Sequence, residues 1–140
     1  MLKLGAENKA VSYKVLENNS PIEPGDFKKR FKMVITTPAI FDNGWFPGNI
    51  DPNTFIYDYN GLKIKLLSAA VGKKLFIGGW DMKNNKPKKM YRAVPAGSVY
   101  YFELISGNPE DIIQKFHMKS ISDIRPKEGF GITYIGGADD

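Results

Sequence analysis

Five basic residues crowd into ten positions, Lys83, Lys86, Lys88, Lys89 and Arg92, beside Tyr91 and just ahead of Tyr100 and Tyr101. Lysine and arginine hold phosphate oxygens, and each phosphate neutralised on a single strand adds about 0.7 to the salt slope of binding. Exposed aromatic rings stack on unpaired bases, and an arginine near a ring adds cation–π attraction. The pattern points to single-stranded nucleic acid, with Lys88, Lys89, Arg92, Tyr91 and Tyr101 as candidate contacts. Lys28, Lys29, Arg30 and Lys32 form a second basic group, and Arg125 with Lys127 a third. Solvated charge on loops is the plain alternative for any single lysine.

The segment from Gly129 to Gly137, Gly-Phe-Gly-Ile-Thr-Tyr-Ile-Gly-Gly, offers a different chemistry. Glycine permits close backbone approach, and exposed amides at Gly129, Gly131, Gly136 and Gly137 would grip phosphate or sugar. No Gly-Lys-Ser/Thr follows, so this is not a Walker loop. Equally, the glycines would serve only to turn the chain at both ends of an edge strand. Catalysis has little support. Acid–base cleavage needs two positioned groups, and His117 is the sole histidine, expected as a helix C-terminal cap or surface residue. The acidic pairs Glu110-Asp111 and Asp139-Asp140 sit at a helix start and at the chain end, where the helix dipole and solvation account for them. With no cysteine and one histidine, thiolate and histidine-cluster metal sites are excluded. No metal, cofactor or enzymatic activity is expected.

The elements that must position these residues read as strands. Met90–Val94 and Ser98–Leu104 flank Pro95-Ala96-Gly97 and predict a hairpin in which Tyr91 faces Tyr101 and Arg92 faces Tyr100. Val11–Val15 alternates like an edge strand, and Phe31–Thr37 like a core strand stopped by Pro38. Leu62–Val71 is expected to be half-exposed at its alternating start and buried at its wholly apolar end. Phe41–Asn60 reads as a long packed excursion, because it holds Trp45, Phe46, Phe55, Tyr57 and Tyr59. The best helix signal follows Asn108: Pro109 at the first position, Glu110 and Asp111 in the first turn, an apolar stripe of Ile112, Ile113 and Phe116, and an end near Met118. A last strand, Ile132–Ile135, completes the set. One helix on one side of a sheet predicts an α+β sandwich. The chain has 140 residues, 42% apolar and 25% charged, with formal charge +5, the profile of one globular domain with a modest cationic bias. No run of about 18 apolar residues is present, and a cytoplasmic protein without membrane contact is expected.

Pro95-Ala96-Gly97-Ser98 followed by Val99-Tyr100-Tyr101-Phe102, with Gly78-Gly79-Trp80-Asp81 before it and Gly129-Phe130-Gly131 after it, resembles the third subunit of the Cmr (type III-B CRISPR) effector complex, in the RAMP superfamily. Leu4-Gly5-Ala6-Glu7-Asn8 is similar to that family's Leu-Gly-Gly-Glu-Gly run, with Ala6 and Asn8 departing from glycine, and Thr37-Pro38-Ala39-Ile40-Phe41 with Gly44-Trp45 also matches. The resemblance implies a ferredoxin-like, RRM-like antiparallel sheet with long irregular insertions over residues 31–140, preceded by an N-terminal extension over 1–30. It further implies that the chain corresponds to the C-terminal portion of longer members, a fragment or one half of a split subunit. The implied role is non-catalytic: binding the 5′ handle of the crRNA and joining the large polymerase-like subunit to the backbone RAMP subunits, with a separate N-terminal half as a further partner. On that implication the glycine-rich segment lies against RNA. Two other readings stay open, a module that docks on the large subunit without touching RNA, and a metal-independent ribonuclease centred on His117.

Overall fold

The computed structural model describes residues 2–4, 9–15 and 22–138. Asp139-Asp140 and the run from Gly5 to Asn8 lie outside them. In chain order the elements are β1 (Leu2–Leu4), β2 (Lys9–Val11), β3 (Arg30–Ile35), β4 (Ile56–Tyr59), β5 (Leu62–Ala70), β6 (Leu75–Ile77), β7 (Trp80–Asp81), β8 (Lys86–Pro87), β9 (Tyr91–Ala93), β10 (Val99–Ser106), α1 (Pro109–Phe116) and β11 (Thr133–Gly137). Five strands form one antiparallel sheet in the order β11-β3-β10-β5-β4. Three two-stranded ladders, β1-β2, β6-β9 and β7-β8, stand apart from it. The fold is α+β, as expected. Among the described residues no helix is long and apolar enough to cross a membrane.

Alternation decides which face of the sheet is covered. Phe31, Met33 and Ile35 of β3, Tyr100 and Phe102 of β10, Leu62, Ile64 and Leu66 of β5, and Ile135 of β11 are buried on one face. Phe31 stacks on Phe102 at 5.4 Å between centroids, with Phe27 5.0 Å from Phe31. Helix α1 closes this face with Ile112 and Phe116, whose ring meets Tyr57 at 5.7 Å. Fully burying each such side chain stabilises the fold by about 1.5–3 kcal/mol. The helix begins as expected: Asn108 is the N-cap in extended backbone, Pro109 follows, and Asp111 accepts the Asn108 amide proton at 3.2 Å.

Four expectations are corrected. The Met90–Leu104 hairpin does not form. Pro95-Ala96-Gly97 does turn the chain, with Gly97 at φ 86°, but β9 pairs with β6 while β10 pairs with β3 and β5. Tyr91 thus faces Ile77 and Arg92 faces Phe76, and neither meets Tyr101 or Tyr100. A local turn signal fixes a reversal of direction, not the strand that comes alongside. Second, the apolar end of β5 is its exposed end: Leu67 and Val71 are 46% and 37% exposed, while Leu62, Ile64 and Leu66 are buried. A register shift opposite Tyr101 and Phe102 leaves Leu67 unpaired as a bulge. Third, the early strand is Lys9–Val11, and Ser12–Val15 is irregular. Fourth, the excursion ends at Phe55. Asn60 and Gly61, both at positive φ (51° and 81°), make the two-residue turn that joins β4 to β5.

The excursion itself is packed. Ile40, Phe41, Phe46 and Ile50 are buried, and the Trp45, Phe46 and Phe55 rings lie 4.8–6.1 Å apart. Asp123 staples it from below, accepting the amide protons of Asp42 at 2.9 Å and Gly48 at 2.8 Å.

Candidate nucleic-acid interface

Residues 71–92, from the end of β5 through β6, β7 and β8 into β9, form an arm in which 18 of 22 residues are exposed and Ile77, Gly78, Asp81 and Tyr91 are half-buried. The arm carries Lys73, Lys74, Lys83, Lys86, Lys88, Lys89 and Arg92 against Asp81 alone, a net +6, so with the whole chain at +5 the remainder sums to −1. The basic character of the protein is therefore that of one projecting element. The arm also displays Phe76, Trp80, Met82 and Met90, each more than half exposed. Cations and apolar or aromatic groups alternate along it, the surface chemistry that holds backbone and bases of a single strand.

Its outer turn is held by Asp81, whose carboxylate accepts the amide protons of Lys83 and Asn84 at 3.1 Å each and the Asn84 side-chain amide at 2.7 Å. The Asn84 hydrogen bonds, chiefly, hold the Asp81 carboxyl below the usual carboxylate range. Its root is held by Tyr91. The Lys89 ammonium lies 5.1 Å from the Tyr91 ring centre and the Arg125 guanidinium 5.4 Å from it. Two cations, one from the arm and one from the distant Arg125 stretch, thus share one ring, and Arg125 also approaches Glu128 at 3.8 Å. Lys88 donates its amide proton to Gly79 across the arm and places its ammonium near enough to assist Asp81. Arg92 is exposed on the β6-β9 ladder, opposite Phe76. Lys127 is exposed in the short 3-10 turn Pro126–Glu128, next to Arg125.

The glycines divide. Gly129 is exposed in the left-handed region at φ 85° with open space where a side chain would go, and its carbonyl accepts the Thr37 hydroxyl at 2.7 Å. Gly131, Gly136 and Gly137 face the protein's own atoms. A Cβ on Gly131 would lie 2.7 Å from the Ser122 amide nitrogen, and one on Gly137 would lie 2.2 Å from the Asp26 carbonyl oxygen. The chain at Gly25–Asp26 crosses β11 at Gly137, which makes room for it, while Gly131 makes room for Ser122.

Tyr101 stands elsewhere, 38% exposed on the helix-free face of the sheet, with Lys32 and Ser68 on either side. His117 caps α1, as expected. Its Nδ1 accepts the Ile135 amide proton at 3.1 Å, and its Nε2, the protonated nitrogen of that tautomer, donates to the Ile22 carbonyl at 2.8 Å. The sequence pattern did not single out Lys73, Lys74, Phe76 and Met82 as parts of a surface, whereas Lys32 stood in the second basic group. Lys73-Lys74 beside Gly72 was the available signal.

An α+β protein with its cationic chemistry gathered on one arm is the class that this geometry defines. Over residues 1–137 the chain matches the family model described as CRISPR-associated protein (Cas_Cmr3), and it belongs to that family, the third subunit of the Cmr (type III-B CRISPR) effector complex. Membership places it in a multi-subunit assembly. No curated protein matches the chain.

Proposed function

We propose that this chain is a non-catalytic crRNA-binding subunit that holds the 5′ handle of the guide with its cationic arm and helps to join the large polymerase-like subunit to the backbone RAMP subunits, in the cytoplasm, as part of antiviral defence. The observation that carries the reading is the charge partition: net +6 on an exposed arm of 22 residues and −1 on everything else. Attraction to a polyanion grows with the net charge gathered in one place, and no separate stretch of the same length carries so large a net charge. We read the sheet as ferredoxin-like. In support, the order β11-β3-β10-β5 is that of a βαββαβ unit, with α1 on the crossover from β10 to β11. The packed excursion takes the place of the first helix, and β4 adds an edge strand. The engagement of both His117 nitrogens with backbone groups favours a structural histidine over a catalytic one.

Replacing Lys88, Lys89 and Arg92 together by alanine tests the reading against crRNA bearing its repeat-derived handle. Affinity should fall, and the slope of log K against log salt should drop by about 2, roughly 0.7 for each cation removed. Equal binding by wild type and triple variant at every salt concentration would discard the arm as the RNA contact. The exposed Phe76, Trp80, Met82 and Met90 favour a second reading, in which the arm docks on the large subunit without RNA. Retention on the large subunit in RNA-free pull-down, with no retention on single-stranded RNA, would select it.

A further inference from the structure

The helix-free face of the sheet carries a second surface, distinct from the arm. A row of residues crosses four strands there: Gly136 of β11, Lys32 of β3, Tyr101 of β10 and Ser68 of β5, each paired with the next. The Leu67 bulge, 46% exposed, stands beside Ser68. Lys32, Tyr101, Ser68 and Leu67, together with Arg30, Gly137 and Ala138, line an open cavity of about 450 Å³, a size within the range of small-molecule sites.

We infer that this cavity is a stacking platform for one unpaired nucleotide of the same RNA, with the base on Tyr101 against Leu67 and the phosphate on Lys32. The inference rests on the arm's being an RNA contact. Gly136 matters for geometry: a Cβ there would lie 3.0 Å from Lys32 Cε, so glycine lets the lysine stem lie flat along the sheet beside the ring. Glu103, the acidic residue on this face nearest the row, faces Lys29 at 3.2 Å and Arg30 at 3.8 Å, whereas Lys32 has no ion-pair partner among the described residues. An ammonium next to an exposed ring and an apolar bulge suits a nucleotide, whose phosphate and base match the two halves. Stacking needs a splayed base, so the platform selects a single strand over a duplex.

The test uses the whole chain and a single-stranded RNA of about ten nucleotides, within the site sizes of such surfaces. A second RNA carries the same sequence annealed to its complement. Tyr101→Ala should weaken single-strand binding by about 5- to 100-fold with unchanged salt slope, since base stacking on a ring is not ionic. Tyr101→Phe should restore binding, and neither change should alter duplex binding. Lys32→Ala should lower the slope by about 0.7. Independently of any variant, a 5-bromouridine-substituted strand should photocrosslink to Tyr101 in the wild type. If Tyr101→Ala and Lys32→Ala bind like wild type and no crosslink forms, while the triple arm variant loses binding, the platform alone is overturned. If the wild type binds no single-stranded RNA, the arm reading fails and the platform with it.

Discussion

Tyr100 has no exposed surface, and its hydroxyl donates to the Trp45 carbonyl, tying the central strand to the excursion. Burial pushes the phenol well above its ordinary value of 10, because the phenolate would be desolvated. A group whose folded pKa is raised adds stability below its unfolded pKa and loses it as pH rises beyond. Thermal melts between pH 8 and 11 should therefore show wild type losing up to about 1.4 kcal/mol per pH unit more than Tyr100→Phe once pH passes 10. Equal alkaline slopes would remove this account. At neutral pH the same variant leaves the Trp45 carbonyl short of a donor and should cost about 1–2 kcal/mol. Asp123 works the other way round, as an acceptor for two amides, and Asp123→Ala should cost about 1–3 kcal/mol of stability, read in chemical denaturation as a lower midpoint. Gly137 has a third role. Gly137→Ala places a methyl on the Asp26 carbonyl and should destabilise by about 1–3 kcal/mol whether or not RNA is present, as overpacked sites do, and chemical denaturation reads it.

The strands whose hydrophobic pattern and stop signals agree, β3, β5 and β11, and the helix with its cap and proline, were legible in the sequence. What was not legible was partnership. Pro95-Ala96-Gly97 reverses the chain as its residues demand, yet the strands on either side join different sheets, because a ladder is chosen by long-range packing of Tyr100 and Phe102 rather than by the turn. The burial of β5 was inverted for a related reason. Leu66 and Leu67 are equally apolar, and only the bulge decides which of them faces inward. Asn60-Gly61 was a hairpin signal present in the sequence but hidden inside a segment rich in turn residues. The candidate site fared better in composition than in geometry: the basic stretch at 83–92 is the C-terminal part of the 71–92 arm, whereas the tyrosine pair is split and Tyr91 instead sits between Lys89 and Arg125. The arm buries little, so replacing residues 73–91 by a short turn should leave the sheet's thermal unfolding within a few degrees of wild type. A collapse of the melting transition would show that the arm supports the fold.

At the scale of the molecule, a body of slightly negative charge carries an arm of +6, and in the proposed function the two parts divide the work: the sheet, α1 and the excursion make the core, and the arm is the surface left for contact. Such a division predicts that long-range attraction to a polyanion is lost with the arm even though the fold is not. The most direct measurement is binding of handle-bearing crRNA, across a salt series, by the whole chain and by the chain lacking residues 73–91. The account predicts that arm removal lowers affinity by about 100-fold or more at low salt and brings the salt slope down to roughly 1.4, that of the two contacts left at Lys32 and Arg92. Undiminished affinity and slope in the armless chain would contradict it.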